Sequence, residues 1–136
     1  FVQRIKPRGK MPYYIACLDN LSFRMEKRLF GLMLLQESGL FDQVLASPGV
    51  KTAILFGSFS RGDWGKSSDV DLFLFGNPGQ LNLGRCESRL GREIQVFNYH
   101  NPAEISLAIS PQLLANIAEG FNIKGNFEPL EVSVHA

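Results

Sequence analysis

A chain of 136 residues with 45% hydrophobic content, eleven Phe and a formal net charge of +1 holds enough apolar material for one packed domain and a small appendage. That composition excludes a disordered chain, and a charge this near neutrality makes no case by itself for a nucleic-acid partner. No apolar run approaches the roughly 18 residues of a membrane span, and no secretory signal opens the chain.

Residues 1–17 read as a β-hairpin, with Pro7-Arg8-Gly9-Lys10 marking the turn. Arg4, Lys6, Arg8 and Lys10 crowd its tip, and the hairpin resembles the wing and last strand of a winged-helix domain. A basic wing implies contact with DNA phosphates, although without a recognition helix it reads no base sequence. An ordinary solvated hairpin tip accounts for the same residues. Residues 18–48 read as linking helices. In the first, from Asp19 to Gln36, Asp19 or Asn20 supplies the cap. Leu21, Met25, Leu29, Leu32 and Met33 recur there at helical spacing. Phe30, Leu34 and Leu35 widen the apolar surface beyond one stripe, which predicts packing against a second subunit or another domain and makes a homodimer the expected assembly. A short helix over 39–46 follows.

Residues 49–125 form the main domain, with a loose tail over 126–136. Its strands are predicted at Lys51–Phe56, Asp69–Phe75 and Glu93–Tyr99, with Phe121–Lys124 as a last short one. A helix over 80–90 stops at Gly91. Asn101-Pro102-Ala103-Glu104 carries a cap, a first-turn Pro and a capping-box Glu, and Ser110-Pro111 opens another helix. Cys17 and Cys86 fit neither metal nor redox spacing and read as buried free thiols in a reducing, cytoplasmic setting. The start at Phe1 rather than Met is the expectation for a fragment or a processed chain.

The most informative stretch is Leu55-Phe56-Gly57-Ser58-Phe59-Ser60-Arg61-Gly62-Asp63-Trp64-Gly65-Lys66-Ser67-Ser68-Asp69-Val70-Asp71-Leu72. An apolar strand enters a Gly-Ser turn, a polar loop follows, and a second apolar strand opens on two carboxylates spaced i, i+2. Strand side chains alternate, so Asp69 and Asp71 project from one face. Two carboxylates that close repel, and such a pair persists where a divalent cation lies between them. The Gly57-Ser58 turn offers backbone N–H groups and a hydroxyl to phosphate oxygens.

Gly-Ser, Arg-Gly and then Ser-Asp-x-Asp at the head of a strand resemble the DNA polymerase beta-like nucleotidyltransferase superfamily in its minimal form, over about residues 51–125. The resemblance implies an α/β (α+β) fold: a small mixed sheet with helices on one face and the hairpin outside it. It implies Mg²⁺ or Mn²⁺ on Asp69 and Asp71, with Gly57, Ser58, Arg61 and Ser68 around a nucleoside triphosphate. The implied reaction moves a nucleoside monophosphate from the triphosphate to a hydroxyl of an acceptor that the sequence does not identify.

The bland reading of each residue stands beside the functional one. Arg61, Asp63 and Lys66 serve as solvated loop residues, Ser68 as a loop cap, and Trp64 as a loop anchor rather than a platform for a base. The third strand departs from the family pattern. Where the superfamily places a third carboxylate, this chain aligns Gln95, whose amide cannot act as a general base. Glu93 shares that face by alternation and substitutes if the register differs. Leu90-Gly91-Arg92-Glu93-Ile94-Gln95 also resembles the L-G-R-E-V-N of relatives that fuse a winged helix to this fold. Three readings follow: an enzyme weakened at one position, a nucleotide-sensing or silent module of a winged-helix transcription regulator, and an antitoxin-like nucleotidyltransferase with a toxin-like protein partner. His100 and His135 take no role in any of them.

Overall fold

In the computed structural model, residues 2–5, 13–16 and 20–126 are described. Near the N-terminus, β1 (Val2–Ile5) pairs antiparallel with β2 (Tyr13–Ala16), from Val2 opposite Ala16 to Ile5 opposite Tyr13. This hairpin is a sheet of its own, as expected, and Arg4 on it is exposed. The predicted basic tip at Lys6, Arg8 and Lys10, Cys17, and the tail from residue 127 lie outside the described residues.

Asn20 caps α1 (Leu21–Glu37) by accepting the Phe23 N–H at 3.0 Å, and Gly39 precedes the short α2 (Leu40–Ala46). The apolar runs then become β3 (Val50–Phe56), β4 (Val70–Gly76) and β5 (Ile94–Tyr99). Between β3 and β4 lies the single helical turn α3 (Ser58–Arg61), which is too short to carry a periodic signal. α4 (Leu83–Leu90), capped by Asn82, connects β4 to β5. After β5 come α5 (Pro102–Ala108), α6 (Pro111–Ala118) and β6 (Phe121–Lys124), the two helices capped by Asn101 and Ser110 as the sequence predicts. The Glu104 carboxylate closes the first cap by accepting the His100 N–H at 2.8 Å.

The main sheet has the order β5-β4-β3-β6. β4 runs antiparallel to β3 and parallel to β5, and β6 forms the other edge against β3. The mixed α/β class is therefore the one expected. Val70, Leu72 and Leu74 join Ala53 and Leu55 beneath Leu35, Leu40, Val44 and Cys86, so α1, α2 and α4 cover one face. Each fully buried Leu or Val contributes about 1.5–3 kcal/mol of transfer free energy.

The placement of helices on one face only is corrected. Ile54, Phe56 and Phe73 form a second core with Ile105 of α5 and Ile117 of α6, with Phe97 and Tyr99 beside it. The reason is composition: β3 and β4 are apolar on both faces, and such strands require cover on both.

α1 turns most of its predicted stripe outward and buries Leu35 of the added apolar surface. Its buried side is Gly31 and Leu35, with Leu32 packed against the core. Leu21, Met25, Leu29 and Met33 stand exposed instead. Among the described residues, no helix is long and apolar enough to cross a membrane.

Candidate active site

The ladder registers assemble the site. Phe56, the last residue of β3, lies opposite Asp71 of β4, and Asp71 lies opposite Gln95 of β5. Asp71 and Gln95 thus share the face of Phe73 and Phe97. Asp69, one residue ahead of β4, accepts a hydrogen bond from Gln95 Nε2 at 2.9 Å. Gln95 is therefore the third-strand residue that meets the carboxylate pair. β5 begins at Ile94, so Glu93 precedes it, exposed, with its backbone carbonyl taken by the Val70 N–H at 2.9 Å.

Asp71 is half-buried, and its pKa is raised above the ordinary 3.8. Burial is the largest cause, and the negative charge of Asp69 adds to it, while Arg61 pulls the other way. A carboxylate that the protein itself leaves poorly compensated is one that a cation would relieve. Two hard carboxylate oxygen donors with a neighbouring amide suit Mg²⁺ or Mn²⁺. Among the described residues, no cluster of three or more His, Cys, Asp or Glu forms a fuller metal centre.

Gly57 closes the other side of Asp71. Its φ is +77°, and a Cβ built there would collide with the Asp71 carboxylate Oδ2. Only glycine brings the backbone this close to the carboxylate in this conformation. The chain then turns at once into α3. The Gly57 carbonyl accepts the Ser60 and Arg61 N–H groups at 3.2 and 3.1 Å, and Ser60 Oγ donates to it at 3.0 Å. The turn is tied to α1, where Arg28 Nε donates to the Ser60 carbonyl at 2.7 Å. A charge-assisted bond of this kind contributes about 1.5–3 kcal/mol. Gly57 therefore sits beside Asp71 on a held turn, with Ser58 next in the chain as the first residue of α3.

The loop residues divide. Arg61 is exposed and paired with Asp63 at 3.1 Å, and its charge still acts on Asp71. Lys66 is exposed. Trp64 is the anchor of the two alternatives given above. Its ring stacks on Phe59 at 4.9 Å and 5°, and its indole N–H donates to the Lys27 carbonyl at 2.9 Å. Ser68 Oγ accepts the Gly65 N–H at 2.8 Å, the loop-capping role. Arg92 was not singled out from the sequence, yet its Nη1 donates to both the Gly65 and Ser68 carbonyls at 2.9 Å. Those partners lie 27 and 24 residues away, a distance over which local pattern carries no signal.

The fold and site are those of a mixed α/β domain that presents two carboxylates beside a glycine turn at one end of its sheet. The family model described as nucleotidyltransferase domain matches residues 39–123, and the chain belongs to that family. No curated protein matches it. Among solved structures it resembles a toxin-antitoxin crystallised with AMP-PNP, at 18% identity and a TM-score of 0.50, over 73% of this chain and 81% of that one. It also matches the toxin-antitoxin MntA-HepT, at 14% identity and a TM-score of 0.37, over 82% of this chain and 80% of that one. At 18% identity the first of these likenesses is one of fold alone.

Proposed function

We propose that this domain binds a metal-complexed nucleoside triphosphate and transfers its nucleoside monophosphate to an acceptor hydroxyl. The observation that carries this reading is the cluster of Asp69, Asp71, Gln95 and Gly57 at one end of the sheet. Asp69 and Asp71 hold Mg²⁺ or Mn²⁺, which supplies charge neutralisation to the triphosphate. Gly57 gives the phosphates access to the backbone, and Ser58 donates its hydroxyl. Arg61 offers its guanidinium to phosphate by leaving Asp63, an exposed pair that costs little to break. Ser68 serves by shaping the loop. The acceptor oxygen attacks the α-phosphorus, the bond from that phosphorus to the bridging oxygen breaks, and pyrophosphate leaves. The acceptor's proton goes to one of the two carboxylates or to solvent, because the Gln95 amide cannot take it.

The Gln95–Asp69 hydrogen bond favours a second reading, a domain that binds nucleotide and turns it over weakly or not at all. Incubation with α-labelled ATP or GTP and Mg²⁺ separates the two. Label moving into a macromolecular or small-molecule product supports transfer, and saturable metal-dependent binding without product supports the sensor. Absence of any metal-dependent binding removes both.

For partners, the fold likeness to toxin-antitoxin proteins and the exposed stripe of α1 support a protein contact, either a toxin-like protein or a second copy of this chain. A cytoplasmic setting and DNA contact through the basic hairpin belong to the same proposal.

A further inference from the structure

Both peptide groups that flank Asp69 are held by two consecutive residues. The Ser68 carbonyl accepts from the Arg92 side chain at 2.9 Å, and the Val70 N–H donates to the Glu93 carbonyl at 2.9 Å. Arg92 Nη1 also reaches the Gly65 carbonyl at 2.9 Å, the same oxygen that accepts the Ser68 N–H at 3.2 Å. With the Gly65 N–H bonded to Ser68 Oγ, residues 65–68 form a closed turn fastened at two points to one guanidinium.

That guanidinium is itself fixed. It lies 4.9 Å from the centroid of Phe59 and 5.4 Å from that of Trp64, at the distance of cation–π contact. Trp64 is bonded to the Lys27 carbonyl and lies against Gly31, where a Cβ would stand 2.6 Å from the indole nitrogen. The chain of contacts runs from α1 through Trp64 and Arg92 to the peptide that carries Asp69.

We propose that Arg92 is a positioning residue: by fixing the Ser68–Asp69 peptide it sets the affinity of the carboxylate pair for a divalent cation. The inference rests on the metal role proposed for Asp69 and Asp71. Two effects of removing Arg92 have opposite signs. A positive charge near a cation site repels the ion, so its loss tightens binding. Its hydrogen bonds hold one ligand in place, so their loss weakens binding. Arg92 spends its charge on two carbonyls and two aromatic faces, and the site opens to screening solvent. Positioning therefore outweighs repulsion. Lys carries the charge but not the planar guanidinium, so it replaces Arg only in part.

The test uses Mn²⁺ alone, followed by electron paramagnetic resonance, on the wild type, Arg92→Met, Arg92→Lys and Asp71→Asn. Fluorescence of Trp64, the only tryptophan of the chain, and thermal melting are read in parallel. Arg92→Met is expected to weaken Mn²⁺ binding about tenfold and Arg92→Lys about threefold, with Trp64 emission shifted to the red in the Met variant and melting still cooperative. Unchanged or tighter binding in Arg92→Met overturns the inference. If the Met variant does not fold, Arg92→Lys decides by the same sign. If Asp71→Asn weakens binding and neither Arg92 variant does, the inference alone falls. If Asp71→Asn binds Mn²⁺ as the wild type does, the metal role falls and takes the inference with it.

Discussion

Gln95 donates its amide to Asp69 across the parallel β4–β5 pair, at 2.9 Å, while its own register partner is Asp71. A neutral donor thus occupies the place beside two carboxylates where another acid would add charge. The amide steadies Asp69 without strengthening the field that holds a cation. Gln95→Asp should raise Mg²⁺ or Mn²⁺ affinity several-fold and create or increase nucleotidyl transfer, because the new carboxylate both binds metal and accepts a proton. Glu93→Gln should change little, since Glu93 lies ahead of β5 and is exposed. Metal titration and labelled-product assays read both variants. Robust wild-type turnover that disappears in Glu93→Gln would show that Glu93, and not Gln95, is the third position.

Asp71 gives a second prediction. Asp71→Asn keeps the shape and removes the charge, so Mg²⁺-dependent affinity for ATP or GTP should fall by an order of magnitude or more. Isothermal titration with and without Mg²⁺ measures this. Equal affinity in the variant would mean that the pair is not the metal site.

The raised pKa of Asp71 fixes the sign of a pH effect. Burial and the charge of Asp69 lift the folded value above the unfolded one, so the folded protein binds this proton more tightly. That contribution to stability is fully present below the ordinary 3.8 and is lost as pH rises through the raised folded value. Without metal, Asp71→Asn should therefore melt at or above the wild-type temperature at neutral pH, and the gap should close in acid. Protons also compete with the cation, so metal affinity should fall as pH drops through the same window. A variant that melts below the wild type at neutral pH without metal contradicts the assignment.

Much of this arrangement was legible from residues 55–75 and 93–97 alone. Alternation put Asp69, Asp71 and Gln95 on one face, because strand period is fixed by the backbone rather than by context. Asn20, Asn101 and Ser110 announced their helices through caps that act over three residues. The inner side of α1 was not legible. Apolar residues are spread around that helix rather than gathered in one stripe, and its buried side is chosen where Gly31 admits Trp64, a contact 33 residues distant in the sequence. Arg92 escaped for the same reason, since both of its acceptors are backbone carbonyls, which leave no trace in residue identity. The cover on the second face depends on Ile105 and Ile117, with Leu113 and Leu114 packed beside them, on helices of seven and eight residues that are too short for a long periodic stripe.

The outer side of α1 leads to a prediction of assembly. Leu21, Met25, Leu29 and Met33 are 64%, 62%, 60% and 52% exposed and form a single i+4 ridge. Ridges of this kind interdigitate between helices at a crossing angle of about 50°. Four such side chains offer on the order of 500 Å² per chain, so a symmetric pair buries about 1,000 Å², near the lower edge for a specific interface. The expected result is a weak dimer at micromolar concentration, and Leu29→Glu should dissociate it with little change in melting temperature. Light scattering on both proteins decides. A wild type that is monomeric at high micromolar concentration removes the self-pairing, and a dimer indifferent to Leu29→Glu moves it to another surface.

Gly57 gives the last prediction. At φ +77° an L side chain is strained, and a Cβ at this position would also meet the Asp71 carboxylate. Gly57→Ala therefore carries two costs, of which only the first arises at an open glycine of positive φ. The backbone strain is about 1 kcal/mol or more, and relief of the clash requires Asp71 to swing away or the α3 turn to shift. The turn resists, because Arg28 holds the Ser60 carbonyl and Gly57 itself accepts three hydrogen bonds. Asp71 should give way first. The variant should then remain folded, melt several degrees lower, and lose Mg²⁺-dependent nucleotide affinity nearly as completely as Asp71→Asn. The control is Gly79→Ala, at φ +64° with open space around the added carbon. It should show a backbone cost alone, without the clash, and keep its nucleotide affinity. Equal affinity in Gly57→Ala and wild type would mean that the close approach of Gly57 to Asp71 is only a turn, with no part in binding.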